Sequence, residues 1–314
     1  MSWKTGTGKG IVLMKAIAYY LFYCTAWLIA LLPLRILYLL SDFFFLIVYY
    51  LIRYRQQIIL TNLQNAFPDL SVTEYKEIHR KFIRHFCDVF TETLKLIHLN
   101  KRQVQKRMQY KNPEIIRKLY GKGKSIILVT GHYNNWEWYC GLPFVSQHQA
   151  TAVYMPQSNR YFEAFINGLR SKFGLIPVPM KQILKLLLEY KEKKIPTISI
   201  LVSDQIPTKN EISFWTTFLN QETAVYLGAE KIAKKTDQAV VFGKIQKIRR
   251  GYYEVEFIII CENPGETREY EITEAHVKLL EKIINNCPEH WMWSHRRWKH
   301  KRIEIEKHEE KQRA

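Results

Sequence analysis

The sequence predicts an α/β fold: a mostly parallel sheet flanked by helices, behind an N-terminal transmembrane or interfacial helical anchor. Three observations predict it. Strand-like runs begin at Ile126, Ala152, Ile195, Ala239 and Glu254. Helical stretches separate several of these runs, the alternation of a parallel sheet covered on both faces. Residues 11–32 and 36–52 are almost continuously apolar, a pattern that suits hydrocarbon better than water.

Residues 1–55 form the anchor. Lys15 is the only charge in residues 11–32, and the Lys-free part, 16–32, is about the minimum that crosses a bilayer. Pro33 and Arg35 interrupt, the second run contains Asp42, and Arg53 and Arg55 close it. Tyr19, Tyr20, Tyr49 and Tyr50 stand where interfacial aromatics are found. The first run is expected to span, and the second to return or to lie in the interface. The region is too long for a cleaved leader and lacks a small-x-small cleavage site, so the anchor is expected to be retained. Lys4, Lys9 and Lys15 precede the span, but the larger basic excess follows it, which favours a cytoplasmic body.

Residues 56–300 form the body. From 53 to 118 the pattern is helical, with a break at Phe67-Pro68-Asp69 and then a capping box, Ser71 with Glu74. The run 125–130 reads as a parallel strand, and Gly131 permits a tight exit. The run from Ala152 ends at Tyr154-Met155-Pro156. A helix follows it with Arg170 near its end, just before Phe173-Gly174. Residues 181–191 place Ile183, Leu184, Leu187 and Leu188 on one helix face. The run 195–202 ends in Ser203-Asp204-Gln205. The charged tail, 301–314, is expected to fray or to be disordered.

Lys and Arg outnumber Asp and Glu by 47 to 29, a net charge of +18. That surplus favours an acidic partner: nucleic acid, an anionic membrane or an acidic carrier. The five cysteines, at 24, 87, 140, 261 and 287, form no C-x-x-C pair, which argues against a disulfide framework. Cys287, His290 and His295 lack a second pair at zinc spacing. Gly123-Lys124-Ser125 has Lys118 where a phosphate loop needs glycine, and no G-x-S-x-G elbow occurs. Phosphate-loop and serine-nucleophile chemistry are therefore disfavoured.

Chemistry concentrates in His132-Tyr-Asn-Asn-Trp-Glu137. It follows a strand, at the sheet edge where open α/β folds build sites. An imidazole held by a carboxylate is a competent general base. If the strand 195–202 runs parallel to 125–130, Asp204 reaches the same edge, with Arg170 nearby. The bland alternatives are a structural His-x4-Glu, a turn cap for Asp204 and a solvated helix face for Arg170. Near the C-terminus, Trp291, Trp293 and Trp298 interleave with Arg296, Arg297 and Lys299. This suits a surface touching hydrocarbon and phosphate, or one stacking on single strands, the latter disfavoured by a retained anchor.

The chain resembles the late acyltransferases of lipid A biosynthesis, the lauroyl and myristoyl transferases of Gram-negative bacteria. The resemblance rests on Asn62-Leu63 with Ala66-Phe67-Pro68, Gly131-His132 with Trp136-Glu137, Arg170 with Phe173-Gly174, Asp204-Gln205 with Phe214, and Trp293 with 295–299. Met155 stands where that family usually has arginine, and Asn220 where it often has glycine. The Pro-Glu-Gly-Thr signature of glycerolipid acyltransferases is absent.

The resemblance implies a membrane-bound enzyme that moves an acyl group from an acyl carrier protein thioester to a hydroxyl of a lipid A precursor. No covalent intermediate, cofactor or metal is implied. His132 would be the general base, with Glu137 fixing its tautomer. Arg170 would stabilise charge, and Asp204 would orient Arg170 or a substrate hydroxyl. Asn135, Trp136, Gln205, Arg296 and Arg297 would meet substrate. The expected location is the bacterial inner membrane, facing the cytoplasm, on an anionic surface and without nucleic acid. The rivals are the same chemistry on an aminolipid or other glycolipid, a non-enzymatic basic protein recruiting an acidic partner, and a tethered nucleic-acid binder.

Overall fold

The computed structural model describes residues 7–302. Lys4 and the tail from residue 303 onward lie outside the described residues. The chain opens with helix α1 (Thr7–Leu31), broken from α2 (Leu34–Leu46) by Pro33 at φ −56° and ψ 145°. A π-helical turn, Ile47–Ile52, extends α2 until Arg53 and Arg55 leave it in left-handed conformations. Helices α3 (Gln56–Ala66) and α4 (Val72–Lys95) follow. The expected capping box starts α4: the Glu74 amide donates to the Ser71 hydroxyl, and the Ser71 amide donates back to the Glu74 carboxylate.

One face of α2 is not lipid-like. Leu34, Leu37, Ser41 and Phe45 are buried. The Ser41 hydroxyl donates to Asp88 of α4 at 2.8 Å. Asp42 and Asp88 both accept from Arg250, at 2.8 and 2.6 Å. The opposite face exposes Leu39, Phe43, Phe44 and Leu46. Among the described residues, Leu34–Ile52 is the helix long and apolar enough to cross a membrane, and Ala16–Leu31 is shorter. The polar seam on α4 holds α2 against the body.

The short helices α5 (Lys101–Arg107) and α6 (Glu114–Gly121) flank β1 (Met108–Tyr110). Then come β2 (Ile126–Thr130), a 3-10 helix (Trp136–Phe144), β3 (Gln149–Tyr154), α7 (Arg160–Ser171) and β4 (Ile176–Pro179). Helix α8 (Ile183–Glu192) and β5 (Thr197–Val202) lead to a hairpin, β6 (Trp215–Phe218) and β7 (Gln221–Ala224). The chain continues with α9 (Gly228–Thr236), β8 (Ala239–Arg249), β9 (Tyr252–Cys261) and α10 (Glu271–Asn286).

Seven strands form one sheet in the order β1-β9-β8-β2-β5-β3-β4, with β8–β9 its antiparallel pair. The expected α/β class and mostly parallel sheet are what the structure shows. All of β2 is buried. Ile127 and Val129 join one apolar cluster, Ile126 and Leu128 the other, so helices cover both faces. The sequence reading missed β1, β4 and the hairpin, whose strands of three or four residues leave little periodicity. The hairpin turns at Leu219 and Asn220, with φ of 50° and 59°. Both positive values mark a type I′ turn, where asparagine substitutes well for glycine.

Candidate active site

Two in-register strands build the centre. β2 and β5 pair in parallel with Thr130 opposite Val202, and the Ser203 amide extends the ladder to the Thr130 carbonyl at 2.9 Å. His132 and Asp204 thus stand two residues beyond a matched pair, at the carboxyl edge of the sheet. A Cβ at position 131 would lie 2.7 Å from Leu280 and 3.2 Å from the Asp204 carboxylate. Glycine is what lets the chain pass Asp204 this closely.

Asp204 is the carboxylate that holds the histidine. Its Oδ1 lies 2.6 Å from His132 Nδ1, and its Oδ2 accepts the His132 amide at 2.8 Å. The indole N–H of Trp291 donates to the same Oδ2 at 2.8 Å. Burial pushes the Asp204 carboxyl up, but the His132 ring, its amide and the Trp291 donor outweigh burial and hold it at about 2. An ionised Asp204 assigns the proton to Nδ1. The Gln205 amide, 3.3 Å from Nε2, then meets a lone pair there.

Glu137, five positions after His132, does not pair with the imidazole as expected. It makes a two-pronged ion pair with Arg170: Nε to Oε2 at 2.8 Å and Nη2 to Oε1 at 2.6 Å. The reason is local. Asn134 takes φ +55°, and the segment then enters the 3-10 helix, which carries Glu137 away from the ring. The Trp136 indole donates to Glu137 at 3.1 Å, and its ring meets His132 edge-on at 5.0 Å. Trp136 therefore touches both charge pairs. Burial disfavours the Arg170 charge, but Glu137 outweighs that and raises its pKa.

Both pairs open on a cavity of about 500 Å³ lined by His132, Trp136, Glu137, Arg170 and Gln205. Its walls are largely hydrophobic: Val89 and Phe90 from α4, Phe165 and Ile166 from α7, and Phe22 from α1. Phe22 meets Phe165 edge-on at 5.7 Å, so the first helix completes one wall. Met155 lines the rim and is half exposed. Apolar walls with a few convergent polar groups are what a ligand site needs.

Three residues expected to meet substrate stand elsewhere. Asn135 is fully buried, and its amide donates to Glu92 at 2.8 Å. Arg296 is exposed and Arg297 is buried, and neither lines the cavity. The C-terminal tryptophans are not a lipid-facing surface either, since Trp291 and Trp293 are core residues. The Asn62 amide pins that segment by donating to the carbonyls of Trp293 and His295. Trp291 is the site residue that sequence reasoning missed. Its place among basic neighbours suggested a surface, and no local pattern signals a bond to Asp204. Among the described residues, no cluster of His, Cys, Asp or Glu could hold a metal ion.

The fold and its apolar cavity define an α/β enzyme with room for a hydrocarbon chain beside a histidine. A family model described as bacterial lipid A biosynthesis acyltransferase matches residues 9–300. The chain belongs to that family and is an acyltransferase. No curated protein matches it at a significant level.

Proposed function

We propose that the protein transfers a fatty acyl group from an acyl carrier protein thioester to a hydroxyl of a lipid A precursor. One observation carries this reading. His132 is held at Nδ1 by an ionised Asp204, while the ring borders a chain-sized apolar cavity. Nε2 takes the proton of the acceptor hydroxyl. The oxygen attacks the thioester carbonyl, and the imidazolium returns the proton to the departing thiol. Asp204 fixes the tautomer and stabilises the imidazolium, the role that Glu137 was expected to fill.

Arg170 offers charge to the oxyanion. Glu137 occupies Nε and Nη2, and among the described residues nothing binds Nη1. A donor aimed at such an oxyanion contributes about 10²–10³-fold in rate. The exposed apolar faces of α1 and α2, with the net charge of +18, suit the cytoplasmic face of an anionic inner membrane. A second acceptor class has one observation in its favour: Met155, half exposed on the rim, gives no charge for a phosphorylated headgroup. The deciding assay is acyl transfer by purified protein in detergent, wild type against His132→Ala, with a tetra-acylated lipid A precursor and then other hydroxylated lipids. A loss of about 10³-fold or more supports the reading, and equal rates refute it.

A further inference from the structure

Glu92 of α4 has no exposed surface, and among the described residues its side-chain partners are all uncharged. Three neutral donors surround it. The Tyr38 hydroxyl of α2 donates to Oε1 at 2.8 Å, while the Tyr253 hydroxyl of β9 and the Asn135 amide donate to Oε2, each at 2.8 Å. Burial is the main influence on its pKa and raises it. Buried carboxyl groups held only by neutral donors are expensive, and nothing in the acyl-transfer scheme above uses this one.

Its connection to the site runs through Asn135. That side chain is fully buried; among the described residues its Oδ1 has no partner and its amide donates to Glu92 alone. Asn135 also stands immediately before the 3-10 helix that carries Trp136 and Glu137. The preceding residues have other anchors. His132 is held by Asp204 and by the Met292 amide on its carbonyl, Tyr133 by the carbonyls of Ile283 and Cys287, and Asn134 by those of Ile245 and His290. Asn135 alone takes its side-chain anchor from α4.

We infer that Glu92 is a positioning residue for acyl transfer: through Asn135 it fixes Trp136 against His132 and Glu137 against Arg170, and so sets Arg170 against the reacting atoms. It touches no substrate. The inference rests on the function proposed above only for its kinetic arm. Misplacing a catalytic group by about 1 Å can cost about 10²-fold in rate.

The test compares Glu92→Ala, Glu92→Gln, Asn135→Ala, the double alanine variant and Tyr253→Phe. Glutamine can keep its oxygen toward Asn135 and Tyr253 and turn its amide to the Tyr38 hydroxyl. Tyr253→Phe removes a different partner of the same carboxylate. The two single alanine variants should each lower kcat about 10²-fold with KM little changed. The double variant should be no worse than either single one. Glu92→Gln should restore most of the rate, and Tyr253→Phe should keep it. NMR of the His132 imidazole, which feels the Trp136 ring, gives an arm that needs no substrate. Its resonances should move in Glu92→Ala and Asn135→Ala and stay in Tyr253→Phe. Unmoved resonances, or equal kinetic losses in Tyr253→Phe, overturn the inference. Absence of transfer by wild type would sink the proposed reaction and leave the NMR arm to decide this one.

Discussion

His132 takes its carboxylate from Asp204, 72 positions along the chain, at 2.6 Å, while the nearby Glu137 is committed to Arg170. The two carboxylates therefore have different duties, and substitution should separate them. Asp204→Asn keeps the shape but removes the acceptor that fixes the Nδ1 proton, so kcat should fall by about 10⁴-fold. Combined with His132→Ala it should cost little more than either alone, because the pair acts as a unit. Steady-state transfer rates for the three variants check this.

Glu137→Ala should act on stability as well as rate. It leaves the Arg170 guanidinium largely buried without its carboxylate, a change that costs about 3 kcal/mol when a buried pair is broken. Denaturant unfolding should show that loss, and transfer should fall about 10²-fold. With Glu137 intact, Arg170→Lys should also lose rate, because an ammonium cannot make the two-pronged contact.

Gly131→Ala tests the close passage beside Asp204. Leu280 can swing aside, but the Asp204 Oδ2 at 3.2 Å is fixed by two donors, the His132 amide and the Trp291 indole, while His132 Nδ1 holds Oδ1. The methyl group should displace the dyad, lowering transfer more than the ~1–3 kcal/mol of overpacking would suggest. Thermal midpoint and kcat, measured on the same preparation, distinguish the two effects.

Acid should weaken the fold in two windows. Burial lowers His79, His276, His290 and His295 to about 4. The unfolded chain binds these protons near pH 6.5 and the folded one does not, so stability falls as pH drops from about 6.5 to 4. Asp204, held at about 2 and so below the ordinary carboxylate range, contributes about 2–3 kcal/mol above pH 4, which is lost as pH falls toward 2. Melting temperatures recorded from pH 7 downward should decline first in the histidine window. Asp204→Asn should flatten only the lower one.

Much of this architecture was legible because apolar runs and their spacing are local. The β2 run, the α4 capping box, the Ile183 and Leu187 face of α8 and the sheet edge bearing His132 and Asp204 all follow from neighbours in sequence. The partner of His132 was not legible. Parallel pairing of β2 with β5 has no hairpin to announce its register. A left-handed Asn134 and a 3-10 turn leave no signature strong enough to displace the obvious His-x4-Glu pairing. Trp291 and Asn135 were misread for the complementary reason. Their roles come from long-range contacts to Asp204 and Glu92, whereas composition placed Trp291 on a surface and the family resemblance placed Asn135 against substrate.

The apolar faces of α1 and α2 have a practical consequence for enzymology. Leu21, Leu39 and Leu51 are each about 70% or more exposed, so a purified preparation is expected to need surfactant to stay monodisperse. A lipid acceptor then meets the enzyme within the same micelle or vesicle. Its effective concentration is a mole fraction of that amphiphile phase, not a molarity, and added surfactant will dilute it without changing the bulk amount. Rates on this protein are comparable only at matched surfactant-to-lipid ratio.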